Sequence, residues 1–186
     1  MTVLTPDVAI VGGGLAGATA AVRLGRAGHD VVMIDPQAEQ RAEFRCEKLD
    51  DSQLAVLDKI GLADDLLPHT IKDNEVWVIR YGRLIDRRPG GRAGIMYHDM
   101  VNAVRSHIPD RVAHLQTKVT AIDHGSNGPC VTLLDGSQVR PKLVVLATGL
   151  NPGLPKQIGI ERNIISPRHS VSIGFDLKSA AGGSFD

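Results

Sequence analysis

Net charge, closely paired cysteines and long apolar runs are all missing from this 186-residue sequence. The 21 Lys and Arg residues balance the 21 Asp and Glu residues, so no excess of charge points to nucleic acid or to an anionic membrane surface. No apolar stretch approaches the roughly 20 residues that a membrane-spanning helix needs, and residues 1–7 lack the basic segment of a signal peptide. We therefore expect a cytoplasmic protein with no integral membrane segment and no nucleic-acid partner.

The two cysteines and seven histidines form no pattern typical of a metal or dithiol site. Cys46 has no second cysteine a few residues away, which excludes dithiol reductase chemistry. The histidines share no metal-binding spacing, so we predict no metal. Cys46 itself keeps two interpretations, a proton donor beside a cofactor or a packed free cysteine. The length and the 42% hydrophobic content are ordinary for a globular chain of about one domain.

What the sequence does contain is a strand, a glycine loop, a helix, a second strand and an acid within residues 7–35. The apolar run Val8–Val11 stops at three glycines, and small residues then predict a helix over residues 15–27. The apolar run Val31–Ile34 follows and ends at Asp35. This order is typical of a dinucleotide-binding fingerprint. The alternative is a glycine-rich turn without a ligand, and the agreement of strand, helix and acid favours the fingerprint.

Each position of the fingerprint has a physical task. Gly12 allows the tight turn after the strand, Gly14 lets a pyrophosphate approach the amides of the helix N-terminus, and Gly17 lets the helix pack closely on the sheet. The carboxylate of Asp35 can accept hydrogen bonds from the ribose of an adenosine. The pattern predicts an adenine dinucleotide as ligand but does not distinguish FAD from NAD.

The middle of the chain predicts a short helix and an arginine-rich hairpin. The helix begins near residues 50–52 and ends at Gly61. Arg45 precedes it, and spacing alone leaves open whether this side chain reaches the nucleotide or belongs to a solvated charged loop. Two extended pieces, Glu75–Arg80 and Arg83–Arg87, predict a hairpin. Its arginines favour a solvated edge over a patch that steers an acidic substrate.

The later part of the chain predicts a helix over Tyr97–Ile108, a short parallel strand over Val112–Leu115 and a three-stranded meander. The meander strands are predicted over Lys118–Asp123, Cys130–Leu134 and Ser137–Lys142. The continuous apolar run Leu143–Leu146 is typical of a buried parallel strand. It is followed by Thr148 and Gly149, and a glycine there suits close approach to a bound cofactor.

In this order of motifs the sequence resembles flavoproteins with a glutathione-reductase-like FAD domain. It is most similar to the aromatic-hydroxylase-type FAD monooxygenases, with the geranylgeranyl reductases and flavin halogenases as relatives. The resemblance covers residues 7–153 and depends on the glycine fingerprint, Asp35, an arginine before a helix ending in LDKIGL, the meander and the sequence VVLATG. An NAD(P) dehydrogenase, the alternative, would be expected to continue with further strand–helix units after Asp35.

The resemblance implies an α/β fold, with a Rossmann-like FAD/NAD(P)-binding domain that contains a β-meander, followed by the start of a substrate-domain sheet. We expect the FAD-binding domain over residues 1–155, with a hairpin insertion at residues 74–95 on the substrate side. Residues 156–186 would begin an incomplete substrate-binding domain whose first strand is Ser170–Leu177. Such enzymes continue for about as far again, so we expect this chain to be part of a longer protein.

Ten residues are expected to bind FAD. They are Gly12, Gly13, Gly14, Leu15, Ala16, Gly17, Asp35, Arg45, Thr148 and Gly149. The resemblance implies that the glycines and Asp35 hold the ADP half, that Arg45 contacts the cofactor and that Thr148 and Gly149 lie beside it. NAD(P)H is the expected electron donor and a small organic molecule the expected substrate. No catalytic residue is assigned, and oligomerisation is left open.

The sequence also departs from the hydroxylases at informative positions. Thr148 stands where they usually carry the Asp of an Ala-Asp-Gly motif, and Tyr97 stands where they often carry an arginine. The run from Arg45 to Glu47 resembles the Cys-Gly-Glu of the reductase branch. Hydroxylation with NAD(P)H and dioxygen is the function that the resemblance favours. Flavin-dependent reduction of a double bond and a dinucleotide-binding fragment without turnover remain the alternatives.

Overall fold

Three β-sheets and five α-helices make up the part of the chain that the computed structural model describes, namely residues 2–126, 128–167, 169–170 and 173. The strands are β1 (Val3–Leu4), β2 (Val8–Val11), β3 (Val31–Ile34), β4 (Cys46–Leu49), β5 (Ile71–Arg80), β6 (Arg83–Met96), β7 (Ala113–Leu115), β8 (Val119–Gly125), β9 (Gly128–Leu133), β10 (Gln138–Val139) and β11 (Leu143–Leu146). The helices are α1 (Leu15–Arg26), α2 (Asp51–Lys59), α3 (Ala63–Leu66), α4 (Tyr97–Arg105) and α5 (Gly153–Gln157), with a 3₁₀ turn at Leu67–His69. The strand predicted over Ser170–Leu177 falls largely outside the described residues.

A four-stranded parallel sheet in the order β11-β2-β3-β7 forms the centre of the fold. Every residue of β2 and β3 is buried, because both faces of a parallel sheet are covered. The parallel strands are as predicted. The prediction of a buried strand is wrong for part of β11, where Leu143 is 55% exposed, since this strand lies at the sheet edge with β2 as its partner.

Helix α1 covers one face of the parallel sheet. Its buried Ala21 packs with Val8, Ile10 and Met33 from that face. The helix ends one residue before the predicted end, and Gly28 turns the chain with a φ of +91° while its amide donates to the Gly25 carbonyl. Strand, helix and strand of the fingerprint therefore form the expected βαβ unit.

The β-meander covers the opposite face of the parallel sheet. Its order is β1-β10-β9-β8, and buried Ile122, Val131 and Val139 pack against Val11 and Ile34. The three-stranded meander is as predicted, although β10 is shorter than the predicted third strand. Strand β1, parallel to β10, was not expected, because a two-residue strand carries too little pattern to be recognised.

The third sheet, in the order β4-β6-β5, contains the arginine-rich hairpin. Both hairpin strands extend beyond their predicted bounds. Strand β6 continues through Pro89 to Met96, with a register shift in the pairing between Asp73 and Glu75, where Glu75 pairs with Pro89 and Asp73 with Arg92. A charged loop was one of the two interpretations left open for Arg45, and the residues that follow it do not form one, since β4 pairs antiparallel with β6. The hairpin arginines are exposed, as a solvated edge predicts.

Two of the helices show how local sequence sets helix ends. Helix α2 begins with a capping box in which Asp50 Oδ1 accepts from the Gln53 amide, while Gln53 Oε1 accepts from the Asp50 amide. Helix α4 ends at Arg105 and not at the predicted Ile108. The amide of Ile108 donates to the Arg105 carbonyl, and this i to i−3 bond tightens the backbone into a turn ahead of Pro109.

Candidate functional site

The four parallel strands end in line at one edge of their sheet. The residues paired across this edge are Leu146, Val11, Ile34 and Leu115. The ladder continues beyond it, because the Gly12 amide donates to Ile34 (2.9 Å), the Asp35 amide to Leu115 (3.1 Å) and the Ala147 amide to Val11 (2.8 Å). The glycine loop, the acid and the segment after β11 therefore leave the sheet side by side, at the edge where α/β sheets bind ligands.

A cleft of about 510 Å³, here called the loop cleft, opens between these segments. Its lining residues are Gly12, Gly14, Leu15, Ala16, Asp35, Tyr97, Leu146, Ala147, Thr148 and Gly149. Seven of the ten predicted site residues are in this lining. Gly13, Gly17 and Arg45 are not, and the first two are buried. The assignment of the ten residues to a cofactor stays a prediction.

A second cleft of about 510 Å³, the meander cleft, adjoins the loop cleft and shares Gly12, Asp35 and Thr148 with it. Its floor is formed by residues Thr117–Thr120 and by the start of α5. Residues 117–120 were not singled out from the sequence. They follow a predicted parallel strand at the same sheet edge as Asp35, and that position is the signal that could have identified them.

The N-terminus of α1 faces the loop cleft without a cap from its N-cap side chain. Gly14 occupies the N-cap without a side-chain hydrogen bond, and the first turn has no acidic residue. The Leu15 amide donates to the Tyr97 hydroxyl at 3.5 Å. A Cβ at Gly14 would lie 3.3 Å from that hydroxyl. The amides of the first helical turn and the positive end of the helix dipole favour an anion at this point.

The carboxylate of Asp35 is held at the junction of the two clefts. Its Oδ2 accepts from the Gly13 amide at 2.7 Å, and its Oδ1 accepts from the Gln37 amide at 2.9 Å. Arg105 Nη2 lies 3.5 Å from Oδ1, and the Asp35 side chain is 17% exposed. An ionised carboxylate offers about four acceptor positions, so Asp35 keeps acceptor capacity for a ligand. Arg105 was not identified from the sequence, because an arginine at the end of a helix has an ordinary explanation.

Arg45 lies on Tyr97 instead of in the loop cleft. Its guanidinium carbon is 4.0 Å from the centroid of the Tyr97 ring, and its carbonyl accepts from the Tyr97 amide at 2.8 Å. It also forms an ion pair with Glu47 at 2.7 Å and remains 56% exposed. Tyr97 lines the loop cleft, so its ring lies between Arg45 and the cleft. Contact of Arg45 with a cofactor stays a prediction.

The segment after β11 is held in place by Arg162. Gly149 has a φ of +58°, and a Cβ there would meet no atom of the residues that the structure describes within 4 Å. Arg162 donates to the carbonyls of Gly149 (2.6 Å) and Leu150 (2.8 Å), while the Thr148 hydroxyl donates to Asn151 (3.4 Å). The loop that would lie beside a cofactor is therefore fixed by its own chain.

Cys46 is exposed on β4, so its interpretation as a packed free cysteine is wrong. Across residues 2–126, 128–167, 169–170 and 173, no three His, Cys, Asp or Glu side chains come together as a metal site would require. No helix in that same part of the chain has the length and apolar character to cross a membrane.

Comparison with known proteins gives a family and a set of relatives. The model of the FAD binding domain family matches residues 5–180. The chain is 32% identical over 171 residues to ubiquinone hydroxylase UbiL of Rhodospirillum rubrum, a match that covers 83% of this chain and 39% of that protein. It is 28% identical over 201 residues to menaquinone reductase of Mycolicibacterium smegmatis, covering 95% of this chain and 49% of that protein.

Solved structures of monooxygenases share the fold. The crystal structure of p-nitrophenol 4-monooxygenase PnpA from Pseudomonas putida superposes with a TM-score of 0.72 at 23% identity, over 86% of this chain and 44% of that chain. A variant of PqsL from P. aeruginosa superposes with a TM-score of 0.74 at 25% identity, over 86% of this chain and 47% of that chain. The chain thus spans about two fifths to one half of the length of these proteins.

Proposed function

Because the chain belongs to the FAD binding domain family, we propose that it is an FAD-dependent oxidoreductase that binds the ADP half of FAD in the loop cleft and the meander cleft. The observation that carries this proposal is the meeting of the α1 N-terminus, Asp35 and the Thr148–Gly149 segment at one sheet edge. Packing of the chain alone would not require a cleft beside Gly14, whereas binding of a ligand there does.

The residues present fit the chemical groups of an adenine dinucleotide. The amides of Leu15 and Ala16 would receive the pyrophosphate, with the Leu15 amide exchanging its 3.5 Å bond to the Tyr97 hydroxyl for the anion. The helix dipole and the missing Cβ of Gly14 favour this close approach. Asp35 would accept from the ribose hydroxyls. The meander cleft, with Val119 in its lining, would receive the adenine ring. When bound, FAD would supply the redox chemistry, namely hydride acceptance and electron transfer to a second substrate.

The proposed reaction is hydroxylation of a small organic substrate with NAD(P)H and dioxygen. Support comes from the similarity to a ubiquinone hydroxylase and from the shared fold of p-nitrophenol 4-monooxygenase. The names of these two enzymes denote a quinone and a phenol, so a quinone or phenol is the substrate class we propose. The chain's own residues would bind and orient the cofactor in this reaction, and we assign none of them to proton transfer.

Reduction of the substrate is the second candidate, and one observation favours it. The match to menaquinone reductase covers 95% of this chain, a larger share than the match to the hydroxylase. Under this alternative the two clefts bind FAD in the same way, and the difference lies in where the flavin electrons go. An electron acceptor other than dioxygen then receives a hydride and a proton.

The first test is binding of FAD to the purified protein, followed by the visible absorption spectrum and by flavin fluorescence. We expect saturable binding, with release of intact FAD on denaturation, and displacement of FAD by ADP. Binding of NAD without binding of FAD would contradict the proposal and support a dehydrogenase. Binding of neither nucleotide, at concentrations up to millimolar, would also contradict it.

The second test separates the two reactions. The FAD-loaded protein is given NADPH and a quinone or phenol, and dioxygen consumption is measured beside NADPH oxidation. A hydroxylase consumes one dioxygen per NADPH and gives a product heavier by one oxygen atom. A reductase oxidises NADPH without dioxygen and gives a product heavier by two hydrogen atoms. Repeating the reaction without dioxygen therefore decides between the two candidates, since only a reductase forms its product under those conditions.

A further inference from the structure

Arg105, the last residue of α4, contacts three segments of the candidate site, namely the glycine loop, Asp35 and the residues after Asp35. Its side chain is 8% exposed. Its Nε donates to the Gly13 carbonyl at 2.8 Å, and its Nη1 donates to the carbonyls of Gln37 (2.8 Å) and Ala38 (2.9 Å). Its Nη2 faces Asp35 Oδ1 at 3.5 Å. One guanidinium thus holds the glycine loop, the acid and the chain that follows the acid.

The middle glycine of the fingerprint is where this guanidinium fits. Gly13 is buried, and a Cβ there would lie 2.6 Å from Arg105 Nη2 and 3.0 Å from the Asp35 Cβ. The backbone of Gly13 is engaged on both sides, since its carbonyl accepts from Arg105 and its amide donates to Asp35. Gly13, Asp35 and Arg105 therefore form a closed triangle of polar contacts.

Direct binding of a phosphate by Arg105 does not match this geometry. Its Nε and Nη1 donate to three backbone carbonyls, its Nη2 faces a carboxylate, and the side chain is in the lining of neither the loop cleft nor the meander cleft. A guanidinium has five donors in a fixed planar fork, and that fork is directed at the protein. An effect of Arg105 on a nucleotide in these two clefts would therefore pass through the segments that it holds, the glycine loop and residues 35–38.

We propose that Arg105 is a positioning residue for the adenosine diphosphate half of FAD, a role that rests on the proposed function. It fixes the glycine loop relative to the acid, so that the α1 N-terminal amides and the Asp35 carboxylate are correctly spaced before the nucleotide arrives. Without it, the carbonyls of Gly13, Gln37 and Ala38 lose this donor and Asp35 loses its neighbouring cation. The loops at residues 12–14 and 35–38 then lose the side chain that joins them. A preorganised site binds more tightly because less ordering is needed on binding.

The experiment measures the Kd of FAD for the wild-type protein and for Arg105→Met, which keeps the length of the side chain and removes its donors. We expect FAD affinity to fall about tenfold to a hundredfold, the range that corresponds to the loss of one charge-assisted hydrogen bond. Arg105→Lys keeps the charge and is expected to lose less. The matched control is Arg111→Met. Arg111 also donates to a backbone carbonyl, that of Gly28 at 3.1 Å, but is in the lining of neither cleft. The FAD affinity of this variant should equal that of the wild type.

A double-mutant cycle separates positioning from a loss of overall stability. If Arg105 acts through the acid, Arg105→Met should change the affinity much less in an Asp35→Asn background than in the wild type. Equal losses in both backgrounds, or wild-type affinity in Arg105→Met, would overturn the inference while leaving the proposed function in place. Failure of the wild type to bind FAD would overturn both. Should Arg105→Met not fold, the same cycle with Arg105→Lys decides, and wild-type affinity in that variant overturns the inference.

Discussion

Substitution of Gly17 by alanine tests whether close packing of helix and turn builds the site. Gly17 lies in the first turn of α1 directly above Gly12, and a Cβ at Gly17 would overlap the Gly12 carbonyl oxygen and lie 3.3 Å from the Ala147 Cβ. The overlapped atom belongs to the backbone, so no side chain can rotate away. The methyl group must instead push α1 from the end of β2.

The magnitude follows from two opposing effects. Overpacking of a well-packed position costs about 1–3 kcal/mol, and overlap with a fixed backbone oxygen places Gly17→Ala at the upper end. Alanine is favoured over glycine in a helix by about 1 kcal/mol, which offsets part of that cost. We expect a net loss of about 2 kcal/mol in the free energy of unfolding, and since 1 kcal/mol corresponds to about 2–4 °C for a chain of this size, Tm should fall by about 4–8 °C.

The assay is thermal unfolding by circular dichroism without nucleotide, with Gly14→Ala as the matched control. Gly14 has extended backbone angles that alanine adopts freely, and its Cβ would lie 3.3 Å from the Tyr97 hydroxyl, an atom at the end of a side chain. Gly14→Ala should therefore keep its Tm within about 2 °C, the shift that corresponds to roughly 0.5 kcal/mol, and lose FAD affinity, because the methyl group stands where a phosphate would approach. An unchanged Tm in Gly17→Ala, or a larger fall in Gly14→Ala than in Gly17→Ala, would refute the division of the fingerprint into packing and ligand glycines.

Three further predictions concern the scaffold of the site. Asp50→Ala removes the side-chain cap of α2 and should lower Tm, whereas Asp50→Asn should restore most of it, because Asn is an equally good N-cap; equal melting of the two variants would contradict the capping box. Asp7 accepts from Lys142 Nζ at 2.6 Å, which together with the Asp30 amide lowers the pKa of Asp7 below its usual 3.8. A lowered carboxyl pKa gives stability that is present above pH 4 and lost as the pH falls through the folded-state value, so the Tm difference between wild type and Asp7→Asn should shrink from pH 7 to pH 3. Ile10→Val, at a fully buried position, should cost about 0.5–1.5 kcal/mol in urea unfolding, whereas Ile79→Val, 58% exposed on the hairpin, should stay within about 0.5 kcal/mol.

The sequence predicted the parts of the fold whose patterns are local. The βαβ unit over residues 7–35, the capped helix α2 and the meander each follow from apolar periodicity and turn residues within a short window. Strand β4 did not, because its residues Cys46–Leu49 alternate weakly in burial and its pairing partner lies about 47 residues further along the chain. Strand β11 was predicted as parallel but not as an edge strand, since position in a sheet depends on the order of strands and not on the run of side chains.

The candidate site was predictable where the backbone defines it and not where a distant side chain does. The fingerprint loop, Asp35 and Thr148–Gly149 were found because strand ends are visible as the ends of apolar runs. Arg105 and Tyr97 were missed as site residues, although both belong to a helix that was predicted. Their role depends on how α4 crosses behind the glycine loop, and the contacts of Arg105 join residues 67–92 positions apart in the sequence.

The four glycines of the fingerprint are required for different physical reasons, and only some of those reasons concern nucleotide binding. Gly12 turns the chain at a φ of +104° and faces the Ala147 carbonyl, Gly13 accommodates Arg105, and Gly17 accommodates the carbonyl of Gly12. Of the four, Gly14 is the one whose missing Cβ leaves the α1 amides open toward the loop cleft. Three glycines are thus required by the packing of the chain on itself and would persist in a relative that binds no nucleotide. The inference of a nucleotide depends instead on Gly14, on the N-terminal amides of α1 and on Asp35, so variants at Gly14 and Asp35, and not the glycine count, decide whether the fingerprint binds FAD.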